Sequence, residues 1–491
     1  MLQNLSVNNL KKILSILFFL LLVADLSYSF LQYYNMPLDG DMPNSIIPSP
    51  DISKVLDDPF ATKILTQEDA YPNPNRFFCH WSINKYYNNI PLWLQQFTSP
   101  LNSVYLSSAI VKIFVQLLLL FLIAVFVTGK YRFFDFDNLL VMVITVPFFQ
   151  GHGYGKEFTL IHGSNTYFFF YSFSLLILLL YFLPVILNVL WSKKVFNSVY
   201  YKVIWLAFGI VLALSGPLNP PLALIISGLL FLFYLYDHVR FRKFPELYNA
   251  IKGAFQSLPR MYYFYIVPIV IFSFYSLIIG FFNTNISYSM PLADMYDRLF
   301  HGVFEEFLNK RPFRITLIVI LINYLIIWFF VKNQRKRIVL KLYHFVFFAI
   351  LIFILFLPFG GYREYRPLIL RGDTLLPVTF LLVFLTVFSV YFILKYVKRN
   401  WLYVYIPIFL WVLIDFTAAD KPGFDKNNCE RNALTKIAVS EQDTVVLDNP
   451  CRVFSWFKFH EPWKSESKVQ VLKRWNVLER DKRFYFVKKT Q

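Results

Sequence analysis

The sequence predicts an all-α polytopic transmembrane bundle of about eleven spans, followed by a small β-rich external domain. Composition and pattern both lead to this fold class. Hydrophobic residues make up 57% of the 491 positions and charged residues only 16%, whereas soluble domains have about 45–50% and about 25%. The apolar residues also fall in runs of roughly 20, the length that a helix needs to cross the hydrocarbon core. These features exclude a soluble enzyme, a disordered chain and a disulfide scaffold.

The predicted spans are apolar stretches that recur along the chain. They are 13–31, 106–128, 136–150, 167–191, 203–216, 221–237, 262–282, 314–331, 342–359, 374–394 and 401–418. The segments at 136–150 and 203–216 are short, so each is either a tilted helix or a re-entrant piece. The span count can therefore change by one or two.

The basic residues between the spans predict the orientation of the bundle. A cytoplasmic N-terminus would place 20 Lys and Arg residues in the inner segments, with few acids among them. The loop at 32–105 instead carries seven acids and four bases. Because cytoplasmic loops collect Lys and Arg, we expect the N-terminus inside and the C-terminal segment outside. The net charge of +18 is then largely an orientation signal, and no nucleic-acid partner is expected.

The predicted transmembrane domain covers residues 1–418 and includes the long external loop at 32–105. We interpret the first span as an uncleaved anchor, because its apolar run continues to Leu31. The alternative is a signal peptide, since Ser27-Tyr28-Ser29 fits a weak small-x-small cleavage site. Residues from 32 onward are external under either interpretation.

Residues 419–491 form the predicted external domain, of α+β or β-rich character. Four short segments alternate β-branched or aromatic residues with polar ones, the pattern of strands. They are 444–447, 452–456, 469–472 and 483–487. Cys429 and Cys451 lie in this domain, on the side where disulfides persist, and we expect a bridge between them. Two separate thiols, or a bridge that uses Cys79, are the alternatives.

The strongest candidate for a catalytic or cation-binding site is Asp39-Gly40-Asp41, a few residues after the first span. The glycine permits a tight turn, so both carboxylates can point the same way. Such a pair can bind a divalent cation, or one carboxylate can act as a general base while the other orients a ligand. A solvated turn is the alternative, since Asp and Gly are common in turns.

A second external loop, at 151–166, is a candidate for lining a substrate. Three glycines alternate there with polar and aromatic residues, among them His152 and Glu157. The spacing of these side chains matches no metal-ligand pattern, and the glycines lack the strand and helix of a dinucleotide motif. The alternative is a plain connection between two spans.

The external loop at 360–373 is rich in arginine and tyrosine. Its candidate substrate-binding residues are Tyr362, Arg363, Tyr365, Arg366 and Arg371. Arginines in an outer loop are contrary to the positive-inside tendency, so the orientation of the bundle in the membrane does not explain them. Guanidinium forks suit phosphate oxygens, and tyrosines suit sugar faces or the membrane interface. Salt bridges with neighbouring acids are the alternative.

Two charged residues fall inside predicted spans, where an unpaired charge is costly. Asp25 lies in the first span and Lys112 in the second, at similar depths from the outer boundary. Since consecutive spans are often neighbours, we expect the two side chains to pair. In the alternative, Lys112 reaches the outer headgroups while Asp25 is protonated or lines a cavity.

This order of parts resembles the C-type glycosyltransferase superfamily. The shared features are a short cytoplasmic tail, one span, a long first external loop with early acids, about ten further spans and a small external domain. The resemblance implies transfer of a sugar from a polyprenyl-phosphate donor at the outer face. It implies that Asp41 or Asp39 is the catalytic base, and that the outer arginines contact the donor phosphate. Many members have an adjacent acidic pair where this chain has Asp-Gly-Asp, and the second-loop acid that some members use would be Glu157.

The expected function is therefore that of a membrane glycosyltransferase with a lipid-linked donor. Expected partners are membrane lipid, the polyprenyl-phosphate sugar donor and a glycan, lipid or protein acceptor, and the expected location is a bacterial inner membrane. The sequence demands no cofactor, although a divalent cation would suit the acidic pair. The alternatives are a polytopic lipid or glycan transporter and a non-catalytic membrane component that anchors an external domain.

Overall fold

The computed structural model describes residues 7–194, 198–239, 246–285, 290–332, 335–362 and 368–487. These ranges are largely helical, and they contain nine helices long and apolar enough to cross a membrane. The prediction of an all-α bundle is thus confirmed, and the nine helices fit a membrane protein. Two shorter apolar helices, Phe136–Phe148 and Val199–Ala213, coincide with the two segments that are short in the sequence.

The helices that precede residue 420 are numbered in chain order. Those of the first part are α1 (Val7–Tyr34), α2 (Met42–Ile46), α3 (Pro50–Asp57), α4 (Thr62–Leu65), α5 (Phe77–Leu94), α6 (Pro100–Thr128), α7 (Phe136–Thr145) and α8 (Asn165–Trp191). Those of the second part are α9 (Val199–Ala213), α10 (Asn219–Val239), α11 (Glu246–Gln256), α12 (Tyr262–Phe281), α13 (Leu292–Gly302), α14 (Arg311–Phe330), α15 (Lys336–Phe356), α16 (Leu376–Tyr396) and α17 (Arg399–Ala419).

Local sequence signals explain where several of these helices begin and end. The Ser99 hydroxyl accepts a hydrogen bond from the N–H of Asn102 at the start of α6, and Pro100 occupies the first helical position. Both features satisfy or remove N–H groups that a helix start leaves unpaired. The same helix ends at Gly129, whose φ of 72° is the left-handed conformation that glycine adopts without a steric cost.

The bundle has two distinct ends. At the first, here called the loop end, the C-terminal part of α1 packs with the segments after α7 and after α17. Tyr28 of α1 donates to the Asp420 carbonyl at 2.8 Å, and the His152 N–H donates to the Asp420 carboxylate at 2.6 Å. At the second, here called the basic end, Trp191 donates to the Phe126 carbonyl at 2.8 Å. The loop end corresponds to the predicted outer face and the basic end to the predicted cytoplasmic face.

Contacts at their ends place the two short helices within the bundle. Lys130 pairs with Asp135 at 2.8 Å at the basic end, just before α7, and Gln150, just after it, donates to the Phe416 carbonyl at the loop end. The carbonyl of Leu214, after α9, accepts from the N–H of Phe78 at 3.1 Å. The α7 helix therefore runs from the basic end to the loop end, and the C-terminus of α9 contacts the first external loop.

Burial divides the long helices into central and peripheral ones. Nearly every side chain of α16 is buried, whereas most of α1 is exposed along its length. One continuous hydrophobic core joins the bundle to the C-terminal residues, and Trp475 of the C-terminal segment is fully buried in it. Its indole N–H donates to the Tyr87 carbonyl at 2.8 Å.

The C-terminal segment is less β-rich than its sequence predicts. It contains α18 (Asn428–Val439), β1 (Thr444–Leu447), α19 (Glu466–Arg474) and β2 (Arg483–Phe486). The two strands pair in parallel, with Thr444 opposite Arg483. They occupy two of the four segments that alternation predicts.

The other two predicted strands, at 452–456 and 469–472, are wrong. Residues 469–472 lie within α19, where Val469 and Leu472 are buried three residues apart, so both fall on one helix face. Glu466 in the first turn and Lys473 in the last also favour a helix, because they complement its dipole. Residues 452–456 form an irregular loop in which Phe454 has a φ of 48°.

The expected pair between Asp25 and Lys112 is wrong. No ion pair joins these two residues, both of which the structure describes. Lys112 is fully buried and does not reach the headgroups. Its ammonium group donates to the Gly163 carbonyl and lies 6.0 Å from the Tyr33 ring centroid. The loop after α7 therefore folds inward, and its backbone oxygen rather than the Asp25 carboxylate accepts the hydrogen bond of Lys112.

Candidate functional site

A cavity of about 660 Å³ opens at the loop end of the bundle. The first external loop, the start of α8, the turn before α10 and the segment around residue 370 contribute to its walls. Its charged and titratable residues include Asp41, Arg76, His80 and Arg371. Its apolar residues include Phe281, Phe353, Phe356 and Phe359. This combination suits an amphiphilic ligand, because guanidinium groups attract an anionic head and aromatic rings accommodate a hydrocarbon chain.

The Asp39 carboxylate is buried and accepts five hydrogen bonds. Its Oδ1 accepts from the N–H groups of Asp41 and Met42 at 3.1 and 3.2 Å, and from the Thr166 hydroxyl at 2.7 Å. Its Oδ2 accepts from the Ser164 hydroxyl at 2.9 Å and from the Thr166 N–H at 3.0 Å. Asp39 therefore closes the turn before α2 and attaches it to the start of α8.

Asp41 has different surroundings from Asp39. It lines the cavity and is partly exposed, whereas Asp39 does not line it. Gly40 is required between them, because a Cβ atom at this position would lie 2.6 Å from the backbone nitrogen of Trp456. The C-terminal segment thus packs directly on the turn. The expectation that both carboxylates point the same way is not met.

Arg371 lines the cavity and forms a bidentate ion pair with a buried acid. Its Nε and Nη2 donate to the two carboxylate oxygens of Asp373 at 2.6 and 2.9 Å. Burial opposes the charge on Arg371, but the adjacent carboxylate outweighs this effect and raises the pKa of the guanidinium. The guanidinium group of Arg371 therefore remains charged at physiological pH.

Tyr362 also lines the cavity, and its hydroxyl donates to the Met295 carbonyl at 2.8 Å. Burial raises the pKa of this tyrosine to about 12, so it stays neutral. The other candidates of the same loop, Arg363, Tyr365 and Arg366, lie outside the described residues.

Arg76 and His80 are cavity residues that the sequence analysis did not single out. Arg76 is the residue before α5, and its guanidinium carbon lies 5.8 Å from the Phe170 ring centroid. His80 packs against the same ring, with centroids 4.8 Å apart. Burial, reinforced by the nearby charge of Arg76, lowers the pKa of His80 to about 3. The i, i+4 spacing, which puts both residues on one helix face, is the signal that could have identified them.

His152 and Glu157 do not line the cavity. His152 is buried, and its Nδ1 lies 2.7 Å from the Lys426 ammonium nitrogen. Burial, with a further contribution from Lys426, lowers the pKa of His152 to about 4. Glu157 pairs with Lys310 at 3.3 Å. Both residues attach the loop at 151–166 to other segments of the loop end, and their contact with a substrate stays a prediction.

Glu430 is a buried acid that connects the C-terminal segment to the first external loop. Its Oε2 accepts from the Leu38 N–H at 2.8 Å and from the Tyr105 hydroxyl at 2.9 Å, and its Oε1 accepts from the Phe454 N–H at 2.8 Å. Burial raises the pKa of Glu430 to about 7, although these hydrogen bonds favour the ionised form. Leu38 immediately precedes Asp39, so this contact adjoins the Asp-Gly-Asp turn.

A disulfide joins the helix that carries Glu430 to the loop that carries Phe454. Cys429 and Cys451 are bonded, with Cα atoms 6.1 Å apart, and are 22 positions apart in sequence. Cys79 is a buried free thiol on α5. The disulfide thus restrains the segment whose Trp456 packs on Gly40.

The cavity brings two carboxylates, the partly exposed Asp41 and the exposed Asp51, and two guanidinium groups to a common space that apolar rings also line. A carboxylate in such a position can accept a proton, and guanidinium groups can neutralise an anion. Within the ranges that the structure describes, no cluster of three or more His, Cys, Asp or Glu side chains could hold a metal ion. Comparison with known protein families, with curated proteins and with solved structures found no significant match for this chain.

Proposed function

We propose that this protein transfers a sugar from a polyprenyl-phosphate donor to an acceptor hydroxyl at the loop end of the bundle. The observation that supports the proposal is the amphiphilic cavity, which combines Asp41, Arg76 and Arg371 with exposed aromatic side chains. A lipid-linked sugar phosphate has the matching parts: a polar sugar, an anionic phosphate and a long hydrocarbon chain. In a bacterial cell, the positive-inside tendency would put this reaction at the outer face of the inner membrane.

In this proposal Asp41 is the general base. It accepts the proton of the acceptor hydroxyl while the hydroxyl oxygen attacks the anomeric carbon of the donor sugar. The bond between the anomeric carbon and the phosphate oxygen breaks, and polyprenyl phosphate leaves with the electron pair. Asp39 is less suited to this role, because its two oxygens already accept five hydrogen bonds. We assign Asp39 the positioning of the turn that carries Asp41.

Arg371 and Arg76 are the proposed ligands of the donor phosphate. A guanidinium group carries five N–H donors, and Arg371 uses its Nε and Nη2 on Asp373. Further N–H groups can therefore donate to a phosphate oxygen while the ion pair holds the guanidinium plane in place. The negative charge on the departing phosphate grows in the transition state, so these cations would stabilise it there more than in the bound donor.

The apolar wall is the proposed position of the first part of the lipid chain. Phe281, Phe356 and Phe359 line the cavity, and each is more than half exposed. In a bilayer these rings would be next to hydrocarbon, so a chain could pass from the cavity into the membrane. A transporter would also need such an opening, and the two functions therefore differ in the chemical product rather than in the shape of the cavity.

The test is a donor-release assay on the purified protein. The protein in lipid nanodiscs is incubated with a panel of polyprenyl-phosphate sugars and soluble sugar acceptors, with Mg²⁺ in one series and EDTA in another. Mass spectrometry then measures free polyprenyl phosphate. Release that needs the protein supports the proposal. Binding of the donors without any release across the panel would contradict it and favour a transporter or a non-catalytic component.

A further inference from the structure

A second cavity, of about 920 Å³, lies at the basic end of the bundle. It runs between α10 and α15, and none of its lining residues belongs to the cavity at the loop end. The α10 helix contributes Leu229, Leu232 and Phe233, and α15 contributes residues from Lys336 to Ile352. The proposed sugar transfer makes no use of this cavity. We refer to it below as the basic groove.

Cations gather at one end of the basic groove. Lys336, Arg337 and Lys341 line it within six positions of the sequence. Lys341 is neutralised by Asp237, to which its ammonium group donates. Lys336 donates to the Trp328 carbonyl, and neither Lys336 nor Arg337 forms an ion pair with any residue that the structure describes. Within the described part of the chain, two positive charges of the groove therefore have no acid partner.

The other part of the basic groove is apolar and long. The distance along α15 from Lys336 to Ile352 is about 24 Å at about 1.5 Å per residue, most of the roughly 30 Å thickness of the hydrocarbon core. Leu232 is 57% exposed and Phe348 42% exposed, so both walls are open at the surface of the bundle. A ligand that fills this groove needs a hydrocarbon chain as well as an anionic group.

We propose that the basic groove binds an anionic phospholipid from the leaflet at the basic end. The phosphate would lie next to Lys336 and Arg337, and an acyl chain would lie along α10 and α15 past Leu232 and Phe348. Charge complementarity favours an anionic lipid over a zwitterionic one, because basic pockets between membrane helices attract anionic headgroups. The apolar length favours a lipid over a soluble phosphate. This inference does not rest on the proposed function.

Native mass spectrometry of the full-length protein tests the proposal. Delipidated protein in a neutral detergent is titrated with phosphatidylglycerol or with phosphatidylcholine that has the same acyl chains. We expect tighter binding of phosphatidylglycerol. The K336Q/R337Q double variant should bind it about 30-fold more weakly, since each lost charge near an anionic lipid contributes about 1 kcal/mol. Glycerol phosphate at millimolar concentration should not displace the lipid.

Two matched variants separate the groove from general charge effects. K193Q/K194Q removes two exposed lysines at the same end, outside the groove, and should leave phosphatidylglycerol binding unchanged. Leu232→Trp fills the apolar part without changing charge and should weaken binding. The swap K336R/R337K keeps both charges. If K336Q/R337Q does not fold, this swap should still bind phosphatidylglycerol normally, whereas Leu232→Trp should bind it more weakly. The proposal would be overturned if both lipids bind equally well, or if both double variants lose the same affinity. It would also be overturned if glycerol phosphate displaces the lipid, or if L232W binds phosphatidylglycerol as tightly as the wild-type protein.

Discussion

Thr166 donates to both oxygens of the Asp39 carboxylate, from its hydroxyl to Oδ1 at 2.7 Å and from its backbone N–H to Oδ2 at 3.0 Å. The two residues are 127 positions apart, so this contact fixes the first external loop against the start of α8. Asp41 lies two residues further along, on the wall of the cavity. The position of the proposed base therefore depends on a buried acid that does not itself face the cavity.

Replacing Asp39 by Asn should destabilise the protein. An amide has one acceptor oxygen, and its NH₂ group would face donors that now bond to a carboxylate oxygen. Leaving buried donors unpaired costs about 1–3 kcal/mol each, so we expect a lower melting temperature in detergent together with reduced activity. Thr166→Val removes a single hydroxyl donor and should show a smaller loss. A D39N protein with the wild-type melting temperature would contradict the positioning role.

Replacing Arg76 by Gln should weaken donor binding. A charge-assisted hydrogen bond contributes about 1.5–3 kcal/mol, so we expect KM for the lipid-linked donor to rise about 10- to 100-fold. Arg76→Lys keeps the charge without the planar fork and should recover part of the affinity. The control is R314Q, which removes an exposed arginine outside the cavity. An R76Q protein with the donor KM of R314Q would exclude Arg76 as a phosphate ligand.

Reduction of the disulfide should loosen the segment that packs on Gly40. The bond between Cys429 and Cys451 closes a loop of 22 positions, for which loop-closure entropy predicts about 3 kcal/mol of stabilisation. We expect a reductant to lower the melting temperature of the wild-type protein and to have no effect on C429S/C451S. Identical melting curves of the wild-type protein with and without reductant would show that the bond contributes nothing.

Glu430 should make stability depend on pH with a definite sign. Its pKa is raised from 4.5 to about 7 in the folded protein by burial, so the folded state keeps a proton that the unfolded chain releases. Its contribution is fully present below about pH 4.5 and is lost as the pH rises to about 7. The total change is on the order of 3–4 kcal/mol, since one pKa unit corresponds to about 1.4 kcal/mol.

The Glu430 contribution is measured as a difference between two proteins. His152 and His162 have pKa values lowered to about 4, both mainly by burial, so they destabilise the folded state as the pH falls below about 6.5. These opposing effects are common to the wild-type protein and to E430Q. The stability of the wild-type protein relative to E430Q should therefore fall between pH 4.5 and pH 7. A constant difference would refute the raised pKa, and E441Q, at an exposed position, should behave as wild type.

Sequence alone predicts the parts of this fold that depend on local properties. Long apolar runs predict the helices, and Ser99, Pro100 and Gly129 mark the ends of α6. Alternation fails at 469–472, because Val469 and Leu472 fit a buried helix face as well as a strand, and only packing against the core decides between the two. Short apolar segments that fit both the helix period and the strand period are ambiguous for this reason.

The candidate site depends on contacts that no local pattern reveals. The turn at Asp39 supplies two of its hydrogen bonds. The other three come from Ser164 and Thr166 at the start of α8, at least 125 positions away. Lys112 is satisfied by the Gly163 carbonyl rather than by an acid. Backbone oxygens are present at every residue, so no sequence signal distinguishes the one that a buried lysine will use.

The role of Asp41 as the general base is tested by the donor-release rate of Asp41→Asn beside that of Asp51→Asn. Both residues line the same cavity, and each substitution removes one carboxylate charge while keeping the shape of the side chain. A general base contributes about 10²–10⁴ in rate. We therefore expect D41N to release polyprenyl phosphate at least about 100-fold more slowly than the wild-type protein, with D51N close to wild type and both proteins equally stable. Equal release rates for D41N and the wild-type protein would contradict the account.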